Sequence, residues 1–171
     1  MSQVIAIFGG SFNPPTIGHA MVVQWILWAG KADRVVLVPS KSHPLGKKHA
    51  PFEQRLALLE GMAADIDLSR ITVSDVEDGW DGPVYTYDLL TYLKTVTPND
   101  ELRFIIGADI LEETHKWHLW DKVREEFELI ILGREGYPSP DDTPLIPGFS
   151  STEVRELIAA SGPVVPSPAA P

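Results

Sequence analysis

The sequence predicts an α/β protein: a Rossmann-like, doubly wound parallel sheet with helices on both faces, in a single domain. Three observations carry that expectation. Short apolar runs alternate along the chain with stretches of helical spacing, the pattern that builds βαβ units. The first apolar run leads straight into Gly9 and Gly10, at the place where open parallel sheets bind ligands. The chain has 171 residues, 44% of them hydrophobic, which suits one domain with a sizeable core.

Taken in order, residues 4–8 are a continuous apolar run and read as a buried strand. Residues 19–29 are apolar on nearly every side and read as a helix whose Trp25 and Trp28 suit a core or a subunit interface. Residues 35–38 give the second strand. In 52–63, Phe52, Leu56, Leu59 and Ala63 follow helical spacing and form one apolar stripe. Residues 71–76 are the third strand, and Leu89, Leu90, Leu93 and Val96 mark a second striped helix over 86–96. Residues 102–106 and 129–132 are the last two strands, separated by a helical segment around 119–127. The proline-rich stretch 136–148, with Asp141 and Asp142, reads as a surface loop before a final helix at about 151–160. There is no internal repeat. Residues 162–171, rich in proline and alanine, read as a disordered or extended tail, so the expected division is a domain over 1–161 and a tail over 162–171.

Composition excludes several classes of function. A net charge of −10 argues against a general nucleic-acid binder, because phosphate backbones demand clustered Lys and Arg. Any phosphate site must be local, and Lys41, Lys47, Lys48 and His49 form the main basic cluster. With no cysteine there is no disulfide, thiolate metal site or cysteine nucleophile. The longest apolar run, 20–29, contains Gln24 and is too short to span a bilayer, and the N-terminus lacks the basic region of a signal peptide. A cytoplasmic protein with no membrane partner is expected.

The residues that suggest chemistry begin with the loop from Gly9 to His19. The two glycines let backbone N–H groups approach an anion, and the following helix adds partial positive charge at its N-terminus. Neither G-x-x-x-x-G-K-[ST] nor G-x-G-x-x-G fits. His19 supplies an imidazole in the first helical turn that can donate to a phosphate oxygen, and Thr16 can add a hydroxyl or cap the helix. Near the other end, Ser150 and Glu153 have capping-box spacing. That cap would put Ser151, Thr152 and Arg155 on the first turn, where hydroxyls and a guanidinium can grip phosphate. Lys47 or Lys48 is a candidate phosphate contact, while Arg55 suits either a phosphate or a surface carboxylate. Thr86 opens a helix as a ligand contact or an N-cap. Asp109, after Gly107, can accept hydrogen bonds from a ribose or ring amide, or cap a helix. Trp117 and Trp120 stand in a polar setting, and Arg134 follows the last clear strand.

The segment Gly10-Ser11-Phe12-Asn13-Pro14-Pro15-Thr16-Ile17-Gly18-His19 resembles the G-x-F-x-P-x-[HT]-x-G-H signature of the nucleotidyltransferase superfamily, most closely the nicotinate and nicotinamide mononucleotide adenylyltransferases. Many bacterial members have histidine where this chain has Thr16. Phe149-Ser150-Ser151-Thr152-Glu153-Val154-Arg155 resembles that family's I-S-S-T-x-x-R motif, Tyr85 to Leu90 its Y-T-x-D-x-L segment, and Ile105 to Asp109 its I-x-G-x-D segment. The likeness spans residues 4–160.

The resemblance implies transfer of the adenylyl group of ATP to nicotinate or nicotinamide mononucleotide, releasing pyrophosphate. It implies His19, Thr16 and Arg155 as catalytic groups. ATP would be held by Gly9, Gly10, Ser11, Phe12, His19, Gly107, Asp109, Arg134, Ser150, Ser151, Thr152 and Arg155. The acceptor would meet Ser11, Phe12, Lys47, Lys48, Thr86, Asp109 and Trp117, the last by stacking on the pyridine ring. Mg²⁺ would be held by ATP phosphates and water, with no protein metal ligand. Other adenylyl- or cytidylyltransferases of the superfamily, such as phosphopantetheine adenylyltransferase, and a non-catalytic nucleotide sensor are the alternatives. The apolar first helix leaves a homo-oligomer open.

Overall fold

Strands and helices alternate into one sheet whose order decides where a ligand can sit. The computed structural model describes residues 1–41, 49–139, 143–148 and 150–161. The strands are β1 (Val4–Gly10), β2 (Arg34–Pro39), β3 (Ile71–Val73), β4 (Glu101–Gly107), β5 (Glu128–Arg134) and β6 (Leu145–Ile146). The helices are α1 (Ile17–Trp28), α2 (Phe52–Ile66), α3 (Thr86–Val96), α4 (Trp120–Glu126) and α5 (Ser151–Ser161), with a 3-10 stretch at Ala108–Lys116. All strand pairs are parallel and the order is β3-β2-β1-β4-β5-β6. The chain winds outward from β1 in one direction and then from β4 in the other, so the crevice at their carboxyl ends is the switch point where such sheets take ligands.

The period of two along each strand separates the two cores. Ala6, Val35, Leu37, Ile105 and Ile130 pack with Val23 and Ile26 of α1 and Leu59 and Ala63 of α2. Ile5, Ile7, Leu102, Phe104 and Ile106 pack on the other face with Leu89 and Leu90 of α3 and Trp120 and Val123 of α4. Helices therefore cover both faces, which is why the central strands are apolar at successive positions rather than alternate ones.

Four local expectations change. β3 ends at Val73, shorter than the apolar run suggested. The proline-rich loop contains a two-residue strand, β6, paired to Gly133 and Arg134, which adds an edge the composition hid. Trp28 is not core, being 86% exposed at the end of α1, and Trp25 is half-buried under the ammonium of Lys31. Trp120 is buried in the α4 core despite its polar neighbours. The tail over 162–171 lies outside the described residues. No helix among the described residues is long and apolar enough to cross a membrane.

Candidate active site

Gly9 and Gly10 are the last residues of β1, in register with Val38 and Pro39 of β2, and neither has a positive φ. The strand thus runs two residues past the expected 4–8, and the reversal falls at Phe12, whose φ is 44°, before a cis Asn13–Pro14 bond. Phe12 is 1% exposed, and its ring meets those of Phe8 and His19 at 5.4 and 4.9 Å. A Cβ on Gly10 would lie 3.4 Å from that ring. Gly10 thus lies against the Phe12 ring, and Phe12 in turn walls one side of His19.

His19 sits in the first turn of α1, after Thr16 as N-cap. The Thr16 backbone N–H donates to His19 Nδ1 at 2.9 Å, and the Thr16 hydroxyl lies 3.1 Å from the same nitrogen. Because Nδ1 accepts, the neutral ring carries its proton on Nε2. Burial, and then the positive charge of Arg134, lower the His19 pKa to about 4. At neutral pH the side chain is an uncharged hydrogen-bond donor with a set tautomer. It lines a cavity of about 170 Å³ together with Phe8, Arg134, Ser150 and Ser151.

The predicted capping box of α5 is present: the Glu153 N–H donates to Ser150 Oγ at 3.1 Å and Glu153 Oε2 accepts from the Ser150 N–H at 3.0 Å. The Ser150 N–H and the Ser150 hydroxyl, both donating to Glu153 Oε2, hold its carboxyl below its usual range. Ser151, which lines the cavity, and Arg155 are both bonded within the chain. Ser151 Oγ donates to the Pro14 carbonyl at 2.8 Å, and the Arg155 guanidinium donates to the Asn13 carbonyl and to Thr152 Oγ1. They brace the loop after β1 against α5. What α5 presents directly to the cavity is the start of its first turn, where N–H groups have no intrahelical acceptor.

At the end of β4, Asp109 lies over Gly107 with Oδ1 buried and without a hydrogen-bond partner among the described residues. It does not cap a helix, since the N-cap of the 3-10 stretch is Gly107. A Cβ on Gly107 would fall 2.3 Å from Asp109 Oδ1. Glycine is required there to let the carboxylate fold back, beside the Arg134 side chain at the end of β5. An orphaned buried carboxylate oxygen at a strand end is suited to a ligand hydroxyl or amide, or to a metal-bound water.

Thr86 is the first residue of α3, and Tyr85 rather than Thr86 is the N-cap. The Tyr85 ring meets that of His118 at 4.8 Å, which brings the start of α3 to the segment bearing Trp117. Trp117 is half-buried and packs edge-on against Trp120 at 5.5 Å. Lys47, Lys48 and Phe149 lie outside the described residues. Lys41 is engaged elsewhere, with Nζ donating to the Asp78 carbonyl at 2.6 Å. Among the described residues no group of three or more His, Asp or Glu side chains converges to hold a metal.

Sequence reasoning missed a polar knot behind the loop, formed by Arg55, Asn13 and Glu77, which are 1%, 7% and 7% exposed. A signal was available: Arg55 is one turn before Leu59 and two before Ala63, on the stripe of α2 that the core takes.

A family model described as cytidylyltransferase-like matches residues 7–157, a span that starts in β1 and ends in α5 and so includes both ends of this crevice. The chain belongs to the cytidylyltransferase-like family. Within it, the domain is similar to a protein of Anaeromyxobacter dehalogenans named "Probable nicotinate-nucleotide adenylyltransferase", with 38% identity covering 91% of this chain and 83% of that one. It is 30% identical to the nicotinate-nucleotide adenylyltransferase of Bacillus subtilis, covering 93% and 87% of the two chains. Among solved structures, this cytidylyltransferase-like domain is similar to Plasmodium falciparum nicotinic acid mononucleotide adenylyltransferase complexed with NaAD. The TM-score is 0.77 at 26% identity, covering 90% and 83% of the two chains.

Proposed function

We propose that this protein transfers the adenylyl group of ATP to nicotinate mononucleotide, releasing pyrophosphate and forming deamido-NAD. The observation that carries this is the state of His19: neutral, with Nδ1 held by the Thr16 amide and Nε2–H left to donate beside Arg134 and the start of α5. Relatives similar over nine-tenths of the chain are named for the same reaction.

In this reading an oxygen of the acceptor phosphate attacks the α-phosphorus of ATP. A new P–O bond forms as the bond to the bridging oxygen of the β-phosphate breaks, and the electron pair leaves with pyrophosphate. The attacking oxygen is already anionic, so no base has to remove a proton. Catalysis rests on orientation and on donors placed where charge develops. His19 Nε2–H and the Arg134 guanidinium serve the transferring phosphate, while Thr16 holds the imidazole in its tautomer. Gly9, Gly10, Ser11 and Phe12 shape the strand end against the nucleotide. Ser150, Ser151, Thr152 and Arg155 build the α5 wall, with Ser151 and Arg155 acting through the Pro14 and Asn13 carbonyls. Asp109, released by Gly107, takes a ribose hydroxyl or a water of Mg²⁺. Mg²⁺ would be held mainly by the ATP phosphates and water and would neutralise part of their charge. Thr86 and Trp117 form the acceptor side, with Lys47 and Lys48 as candidate contacts to its phosphate.

Pyrophosphate release from ATP tests the reading, with nicotinate mononucleotide, nicotinamide mononucleotide and phosphopantetheine as acceptors and CTP as an alternative donor. The expected result is turnover with ATP and nicotinate mononucleotide, reduced at least about a hundredfold in His19→Ala. A folded His19→Ala protein with near-normal turnover, or a wild-type protein that prefers another pair, overturns it.

A further inference from the structure

The largest fully buried side chain is a charged one, Arg55 on α2. Its Nη1 donates to the Ser11 carbonyl at 2.6 Å, Nε to the Ala50 carbonyl at 3.0 Å and Nη2 to the Lys41 carbonyl at 3.4 Å. Three separate segments thus meet on one guanidinium. Glu77 lies behind them and accepts from the Lys41 N–H at 2.8 Å, so the amide and the carbonyl of Lys41 are gripped by opposite charges. Ala50 is held in the same manner, its N–H by Asn13 Oδ1 at 3.1 Å and its carbonyl by Arg55. Burial raises the Glu77 carboxyl pKa, and the charge of Arg55 opposes that rise. Burying a cation costs several kcal/mol before its hydrogen bonds return anything, and an apolar side chain would pack this stripe of α2 more cheaply. Arginine answers a geometric need instead: a rigid fork can meet three carbonyls, whereas a single ammonium on a flexible stem cannot hold all three in place.

The Ser11 carbonyl leads to the site. Ser11 stands between Gly10 and Phe12, and the Phe12 ring walls His19 at 4.9 Å. Lys41 and Ala50 flank the basic segment of the chain. We propose that Arg55, supported by Glu77, is a positioning residue for adenylyl transfer: through Ser11 and Phe12 it sets His19, and through Lys41 and Ala50 it ties the chain after β2 and before α2 to the same cation. The inference rests on the function proposed above for its catalytic consequence, though not for its effect on His19.

Arg55→Lys, which keeps the charge and loses the fork, tests this in the full chain. Glu77→Gln, which keeps an acceptor for the Lys41 N–H, serves as the second variant should Arg55→Lys fail to fold. Two readouts are taken well below each variant's melting temperature. The first is the His19 imidazole titration by NMR, which needs no activity. It is expected near 4 in the wild type and displaced toward 6.5 in the variants, a change that loss of stability alone does not produce. The second is pyrophosphate release at saturating substrates, alone and combined with His19→Ala. A kcat loss of about tenfold or more is expected, shrinking to about twofold or less on the His19→Ala background because both changes act through one group. An unmoved His19 titration, or an equal kcat loss on both backgrounds, overturns the inference. A wild-type protein inactive with every acceptor sinks the proposed function instead, and the titration still decides the role of Arg55.

Discussion

Replacing Gly107 by alanine isolates a steric effect on one carboxylate. The backbone at Gly107 has φ −76° and ψ 142°, which any residue adopts, so no dihedral strain arises. The added Cβ would lie 2.3 Å from Asp109 Oδ1, where ordinary contact begins at 3.4 Å, so the carboxylate must retreat by about 1.1 Å. Arg134 Cγ, at 3.7 Å from the same Cβ, need not move. Alanine should recover about 0.5–1 kcal/mol of chain entropy in a strand, which offsets part of the clash and keeps the melting temperature close to wild type. Displacement of a positioning group by about 1 Å can cost about a hundredfold in rate, equivalent to about 2.7 kcal/mol of transition-state stabilisation. The assay is kcat/KM for pyrophosphate release by Gly107→Ala, Asp109→Ala and the double variant, with thermal melts alongside. If the effect runs through Asp109, adding Gly107→Ala to Asp109→Ala costs nothing further. A folded Gly107→Ala protein within about threefold of wild type, or one whose loss persists in the double variant, would show that this reasoning misplaces the carboxylate.

Two other outcomes follow from the same geometry. The folded-state pKa of His19, about 4, lies below its ordinary 6.5, so between these values the unfolded chain binds the proton that the native ring refuses. Its contribution to stability is complete above about pH 6.5 and is lost as pH falls toward 4. It amounts to no more than about 3 kcal/mol after allowing for partial exposure. Urea denaturation from pH 7.5 to 4.5 should show this slope, and the slope should shrink in His19→Gln; equal slopes in the two proteins would refute it. Gly61 is an exposed residue inside α2, and a Cβ there would meet nothing within 4 Å. Gly61→Ala should therefore raise stability by about 0.5–1 kcal/mol with turnover unchanged, and an unaltered or lower melting temperature would count against it.

Much of this molecule is short-range and can be read in one dimension. The apolar runs at β1, β2, β4 and β5 and the stripes of α2 and α3 arise from periodicity within a single segment, and the Ser150–Glu153 cap from a spacing of three. The Gly9 to His19 loop stood out as a candidate anion site for the same reason: a strand end, glycines and a helix start are contiguous. Legibility stopped where contacts are distant in the chain. Gly9 and Gly10 read as the start of the loop because the apolar run ends at Phe8, yet pairing with Val38 and Pro39 keeps them in the strand. The bonds of Ser151 and Arg155 to the Pro14 and Asn13 carbonyls, more than a hundred residues away, left no local trace. β6 was hidden because a strand of two residues leaves no periodic trace.

Residue types and local spacing were enough to predict an α/β sheet with a glycine-bearing strand end and a histidine beside it. The protonation state of that histidine, and the groups that aim it, came from packing alone. A pKa depends on what surrounds the ring in three dimensions, and His19 owes its neutrality to burial beside Phe12 and to Arg134 of a distant strand. Arg55 is the sharper case. On the helix it is one polar residue on an apolar stripe, and it acquires a role when three carbonyls from separate segments converge on its guanidinium.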